Sequence, residues 1–161
     1  MLIDTEIVAM VQNTLGMWDF EPSRLCLEVT EGAVMSRPDV SISVLHSLRD
    51  IGVQISIDDF GTGYSSLAYF KSIPANELKV DKSFVLNMLK DEGDKKIVNA
   101  IIQLSRGFGM QVTAEGVEDE QTARALVHFG CDRLQGFHFS RPLPHDEFAA
   151  WLSAHTARKL A

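Results

Sequence analysis

The chain has 161 residues, 45% of them hydrophobic and 23% charged, a composition that belongs to a globular domain with its own core and excludes a disordered segment. Twenty-two acidic against fifteen basic residues give a net charge of −7, and no basic cluster exceeds the pair Lys95 and Lys96. This excludes duplex nucleic acid and anionic membrane as electrostatic partners, so a phosphate-bearing ligand would need local help, most simply a metal.

Helical and strand-like periods alternate along the chain. Residues 4 to 17 start at a capping Asp4 and place Ile7, Met10, Val11 and Leu15 at helical spacing, and Leu25 to Glu31 then alternates as a strand. Asp39 to Ile51 is amphipathic, with Val44, Leu45 and Leu48 on one face and Gly52 where a helix-terminating glycine belongs. Val53 to Asp59 is a second strand, a short helix covers Ser66 to Lys71 before Pro74, and Glu77 to Val80 is a third strand. Asp94 to Phe108 is the clearest helix, apolar at Ile97, Val98, Ile101, Ile102 and Leu104 and closed by Gly109. Met110 to Gly116 is the fourth strand. Asp119 caps a helix that runs to Phe129 and ends at Gly130, and a fifth strand spans Arg133 to Phe139. Pro142 and Pro144 precede a last helix from His145 to Arg158.

Strands and helices recurring every ~20 to 35 residues predict βα units on a parallel sheet. Five such units are too few to close a (β/α)8 barrel, which takes roughly 200 residues or more. The expected fold is therefore α/β, either an open parallel sheet or part of a barrel. Cys26 and Cys131 sit in apolar strand-like surroundings without metal-ligand or CxxC spacing, which predicts reduced core thiols in a cytoplasmic protein. The five histidines are scattered, the first residues lack the pattern of a secretory leader, and no run approaches 18 apolar residues.

The polar residues within the strands carry the functional signal. Side chains alternate across a strand, so Leu27 and Val29 oppose Glu28, Ile55 and Ile57 oppose Asp58, Leu78 and Val80 oppose Lys79, and Val112 and Ala114 oppose Glu115. Arg133 and Gln135 share one parity of the last strand. Each strand thus brings an ionisable or amide group to its carboxyl end, where parallel α/β proteins build their sites. Glu28, Asp58, Asp59 and Glu115 converge there with Lys79 as the offsetting charge, a set of hard oxygen donors suited to Mg²⁺ or Mn²⁺. Adjacent like charges such as Asp58 and Asp59 repel by about 4 kcal/mol at ~4 Å in a surface-like dielectric, so this pair requires solvent or a cation. Glu31, Asp81 and Glu118 read as anchors of the loops after their strands.

The segments LEVTE at 27 to 31, IDDFGTGYSSL at 57 to 67, LKVDKSFV at 78 to 85, AEGVE at 114 to 118 and GCDRLQGFHFSRPLP at 130 to 144 resemble, in order, the signature segments of EAL domains. These are bacterial phosphodiesterases that use Mg²⁺ or Mn²⁺ on a modified TIM barrel to convert cyclic di-GMP to linear pGpG. The resemblance implies a partial (β/α)8 barrel forming one EAL-type domain over residues 1–161, amino-terminally truncated. It implies Glu28 and Asp58 as ligands of a first metal, and Asp58, Asp59 and Glu115 as ligands of a second. Lys79 and Glu115 are then the catalytic pair, Lys79 beside the attacking water, with Gln135 and Asp81 supporting the site. Glu31 is implied to tie down the loop from Phe60 to Ser66, which in the family couples metal binding to dimerisation. The namesake Glu-Ala-Leu segment and the following Asn-x-Ser strand do not occur in this sequence. That implies an incomplete first metal site and impaired turnover, or else a noncatalytic EAL module that binds a nucleotide or a protein. The edges left at Leu25 to Val29 and at Leu134 to Phe139 predict a homodimer or a segment-exchanged oligomer.

Overall fold

A computed structural model describes residues 6–62 and 67–159. The Asp4 cap and the loop residues 63–66 fall outside these ranges. The described residues form a five-stranded sheet in the order β1-β2-β3-β4-β5, with every neighbouring pair parallel. The strands are β1 (Cys26–Thr30), β2 (Gln54–Phe60), β3 (Glu77–Val80), β4 (Gln111–Ala114) and β5 (Arg133–Leu134). Each new strand is added on the same side of its predecessor, which builds the wall of a barrel and not a doubly wound sheet.

The helices are α1 (Glu6–Met17), α2 (Glu31–Ser36), α3 (Pro38–Asp50), α4 (Leu67–Phe70), α5 (Lys82–Val85), α6 (Glu92–Gly107), α7 (Glu120–Phe129) and α8 (His145–Lys159). One face of the sheet is apolar and packs against helices: Ile55, Ile57, Leu78, Val80, Val112 and Ala114 are all buried, together with Leu45 and Leu48 of α3, Val98 and Ile102 of α6 and Leu126 of α7. The opposite face carries the polar parity and is only partly covered. Every fully buried Leu or Ile contributes about 1.5–3 kcal/mol to such a core.

The helix ends follow their local chemistry. Asp119 accepts from the Thr122 amide at the start of α7, and Asp91 accepts from Gly93 and Asp94 at the start of α6. At the end of α3 the Gly52 and Val53 amides donate to Arg49 and Leu48, with Gly52 at φ +98, a left-handed closure that frees the chain to turn straight into β2.

Four expectations need correction. Met10 is exposed because the α1 stripe that packs inward is Ile7, Val11 and Leu15. Cys26 is exposed on the open face of edge strand β1 and is not a core thiol, whereas Cys131 is partly buried and packs against the core; both are free. Glu31 does not end β1 but begins α2, whose first turn is capped by Thr30. β5 stops at Leu134 and does not reach Phe139: the Val117 amide donates to the Gln135 carbonyl and the His138 amide to the Val117 carbonyl, which draws the backbone away from the ladder.

Candidate active site

The carboxyl ends of β1 to β4 deliver Glu28, Asp58, Lys79 and Glu115 to one place. Lys79 lies within β3 on the polar face and is only 5% exposed. Its Nζ lies 2.6 Å from Glu115 Oε1, 3.0 Å from Glu28 Oε2 and 3.4 Å from Asp58 Oδ1. Burial opposes the charge on this amine, yet hydrogen bonds to Glu115 and Glu28 and the negative charge of Glu115 and Asp58 override it, raising the Lys79 pKa well above the ordinary lysine value. Lys79 is a fixed ammonium ion here, not a base.

The tandem carboxylates depend on an irregularity in β2. Ser56 and Ile57 pair with Glu77 and Leu78, but the next pairing is Phe60 with Val80, so β2 spends one residue more than β3 over this interval. Asp58 and Asp59 together stand opposite Lys79, a β-bulge. Asp59 takes the left-handed conformation at φ +54, and its amide donates to Asp58 Oδ1 at 3.0 Å. In an unbroken strand Asp59 would share the parity of Ile55 and Ile57 and point into the core. The bulge removes it from that side, and Phe60 resumes the apolar face with its ring 5.0 Å from that of Phe70. The Asp59 carboxyl is held above the usual range by burial first, then by the charges of Asp58 and Asp81.

Asp81 caps α5, accepting from the Ser83 amide at 2.9 Å and from its hydroxyl. Burial pushes the Asp81 pKa up, but these Ser83 bonds outweigh it and hold the carboxyl below its ordinary value. Glu31 is 4% exposed, and its Oε2 accepts from the Gly61 amide at 3.0 Å, so it fastens the start of the loop after β2. Gln135 follows β5, its amide donating to the Ala114 carbonyl at 2.9 Å, and it lines a cleft of about 410 Å³ together with Glu28 and Lys79.

The side-chain alternation did not reveal the layer beneath. Glu77, two residues before Lys79 on the same face, accepts from Arg133 Nη1 at 2.9 Å and from the Thr113 hydroxyl. Burial raises the Glu77 pKa, but the Thr113 and Arg133 bonds overcome this and lower it. The shared parity of Glu77 and Lys79 was the available signal.

The donor chemistry fits a hard divalent ion: four carboxylates, one of them with its pKa raised by burial and by its like-charged neighbours, form a surplus of negative charge that a further cation would relieve. As the side chains stand, the Lys79 ammonium takes the centre of Glu28, Asp58 and Glu115, and among the described residues no three His, Cys, Asp or Glu side chains are grouped to hold a metal.

The family model described as EAL domain matches residues 2–142. The bifunctional diguanylate cyclase/cyclic di-GMP phosphodiesterase MucR of Pseudomonas aeruginosa is 46% identical over 144 residues, covering 89% of this chain and 21% of that protein. A solved structure of the MucR phosphodiesterase in complex with c-di-GMP superposes with a TM-score of 0.86 at 46% identity, covering 89% of this chain and 58% of that one. A manganese and cyclic-di-GMP complex of BlrP1 from Klebsiella pneumoniae superposes with a TM-score of 0.77 at 33% identity, covering 84% of this chain and 34% of that one. The chain spans about a fifth of the length of the curated relatives it matches. With its parallel wall of five barrel strands and its lysine set among strand-end carboxylates, the chain belongs to the EAL domain family.

Proposed function

We propose that this chain, as part of one EAL-type domain, carries the carboxylate and lysine side of a metal-dependent phosphodiesterase site that opens cyclic di-GMP to linear pGpG. The observation that carries the reading is the Lys79 ammonium among Glu28, Asp58 and Glu115, with Asp59 added to the same end of the sheet by the β2 bulge. The complexes of MucR and BlrP1 with the cyclic dinucleotide, one of them with manganese, support it.

Glu28 and Asp58 would hold one Mg²⁺ or Mn²⁺, and Asp58, Asp59 and Glu115 a second. When bound, such ions lower the pKa of a coordinated water and neutralise charge on phosphoryl oxygens. Lys79, charged throughout the neutral range, supplies a donor and a positive field to the oxygen that gains negative charge at phosphorus. Gln135 supports the site from the cleft it lines and Asp81 from beside Asp59, and Glu31 holds the loop that begins at Gly61.

The 161-residue chain by itself turns over slowly in this reading, because Glu28 lies on an edge strand with 53% of its side chain exposed and one side of the site is open. The same edge supports a homodimer or an exchange of segments between copies. The test is hydrolysis of cyclic di-GMP by the purified chain in millimolar Mn²⁺, followed by chromatography of pGpG. Slow hydrolysis abolished by Asp58→Asn, Asp59→Asn and Lys79→Ala is expected. Nucleotide binding without any pGpG would favour the noncatalytic module instead, and activity that survives Asp58→Asn would overturn the assignment.

A further inference from the structure

β5 is the weakest strand of the sheet and leads directly into a residue of the site. It has two residues, Arg133 and Leu134, paired only with Thr113 and Ala114, and its outer edge has no partner strand among the described residues. Ladder bonds alone fix so short a strand poorly. The backbone beyond it must nevertheless place Gln135, whose amide and carbonyl bond to Ala114 and Val117. A second tie reaches β5 from two strands away. Arg133 crosses over β4 to Glu77 on β3, and Thr113 on the intervening strand donates to the same Glu77 oxygen, Oε1. The Glu77 side chain is 13% exposed and its pKa is lowered, so both hydrogen bonds are made to a charged acceptor and are stronger for it. Arg133 and Gln135 lie on one parity of the chain, as do Glu77 and Lys79, so this row forms the floor of the cleft onto which Lys79 and Gln135 open.

We propose that Glu77, Thr113 and Arg133 form a cross-sheet staple that sets the register of β5, and that Arg133 and Glu77 are thereby positioning residues for Gln135. The proposal rests on the functional reading above only where it concerns ligand affinity. An arginine suits this position because its side chain is long enough to span the intervening strand and its charge meets the Glu77 carboxylate through a single nitrogen, Nη1.

The test is amide hydrogen exchange followed by ¹⁵N NMR on the intact chain, in the wild type and in Arg133→Ala, Arg133→Lys, Glu77→Gln and the Arg133→Ala/Glu77→Gln double variant. Arg133→Ala and Glu77→Gln are each expected to lower protection of the Gln135 and Val117 amides at least tenfold while the amides of β2 and β3 keep theirs. Arg133→Lys is expected to restore most of the loss, and the double variant to be no worse than the weaker single one, because both substitutions cut the same tie. Unchanged protection at Gln135 in Arg133→Ala, or an equal loss at every strand, overturns the staple. Calorimetric titration with cyclic di-GMP in Ca²⁺ forms a separate arm, in which Arg133→Ala is expected to weaken binding about tenfold. Binding unchanged in Arg133→Ala while Gln135 protection falls overturns the positioning role. A wild-type chain that binds no cyclic di-GMP, yet shows the exchange pattern, supports the staple and overturns the functional reading.

Discussion

Lys79 Nζ stands 2.6 Å from Glu115 Oε1, and Glu115 lies one residue past the end of β4, where its amide still donates to the Val80 carbonyl at 3.2 Å. The ion pair therefore ties the carboxyl ends of β3 and β4 together at the point where the ladder stops. Because Lys79 is buried and serves three carboxylates, Lys79→Met leaves mutually repelling charges behind. It is expected to cost about 3 kcal/mol at neutral pH, read as a lowered urea midpoint. A folded-state pKa raised above the ordinary 10.5 means that the stabilisation by Lys79 is complete below that pH and declines as pH rises above it. Denaturation midpoints between neutrality and strongly alkaline solution should show that decline in the wild type and not in Lys79→Met.

The Asp59 pKa is raised as well, but here folding disfavours the charged form. Its pKa is raised from 3.8, so the folded metal-free chain binds a proton more readily than the unfolded chain, and stability falls as pH rises through the window above that value. Asn keeps the shape, removes the charge and tolerates the left-handed backbone that Asp59 adopts at φ +54. Asp59→Asn should therefore raise the melting temperature of the metal-free chain, by no more than about 4 °C. A lower melting temperature at neutral pH would contradict the charge surplus.

Divalent ions should act on the same surplus. Mn²⁺ at a hundredfold excess over its dissociation constant is expected to stabilise the wild-type chain by ~2.7 kcal/mol. In Asp59→Asn that gain should shrink to a fraction. A melting curve unmoved by millimolar Mn²⁺ and by chelator would count against an assembled metal site.

Gly136 lies where two backbones cross. A Cβ there would collide with the Val117 carbonyl oxygen and amide nitrogen, which are main-chain atoms unable to swing aside. Gly136→Ala is expected to cost about 3 kcal/mol, at the upper end of overpacking, and to release the turn that carries Gln135. Circular dichroism melts and exchange at the His138 amide, which donates to Val117 at 3.0 Å, would register both effects.

Assembly can be read directly by light scattering during size exclusion. β1 presents Cys26 to Thr30 as an edge without lysine or proline, and Met17, Trp18 and Phe20 are exposed nearby in sequence. At micromolar concentration a mass of twice 17.9 kDa or more is expected. A stable monomer would show that the edges are protected without a partner.

The alternation of side chains was enough to bring Glu28, Asp58, Lys79 and Glu115 to one end of the sheet, because strand parity is a local rule that tertiary contacts did not override. β3 was legible to its last residue, and the glycines after α3, α6 and α7 marked their ends because each turns left-handed at φ +98, +71 and +86. Long-range pairing was not legible. The Glu77 to Arg133 bond joins residues 56 positions apart, and the early end of β5 depends on Val117 competing for the Gln135 carbonyl. Strand parity places Glu77 on the face of Lys79, but no periodicity says which distant residue it or the Gln135 carbonyl will meet.

The extra residue in β2 also changes what a motif is in this protein. Asp-Asp-Phe has the same composition whether or not the strand is in step with its neighbour, so the chemical meaning of the tripeptide resides in a count of residues between two pairings and not in the letters themselves. A homologue lacking one residue between Ile57 and Phe60 could keep both an acid and the aromatic ring and still lose the tandem charge. Transplanting the tripeptide into a regular strand of another scaffold would bury its second acid among aliphatic side chains, so a graft has to carry the slip along with the residues.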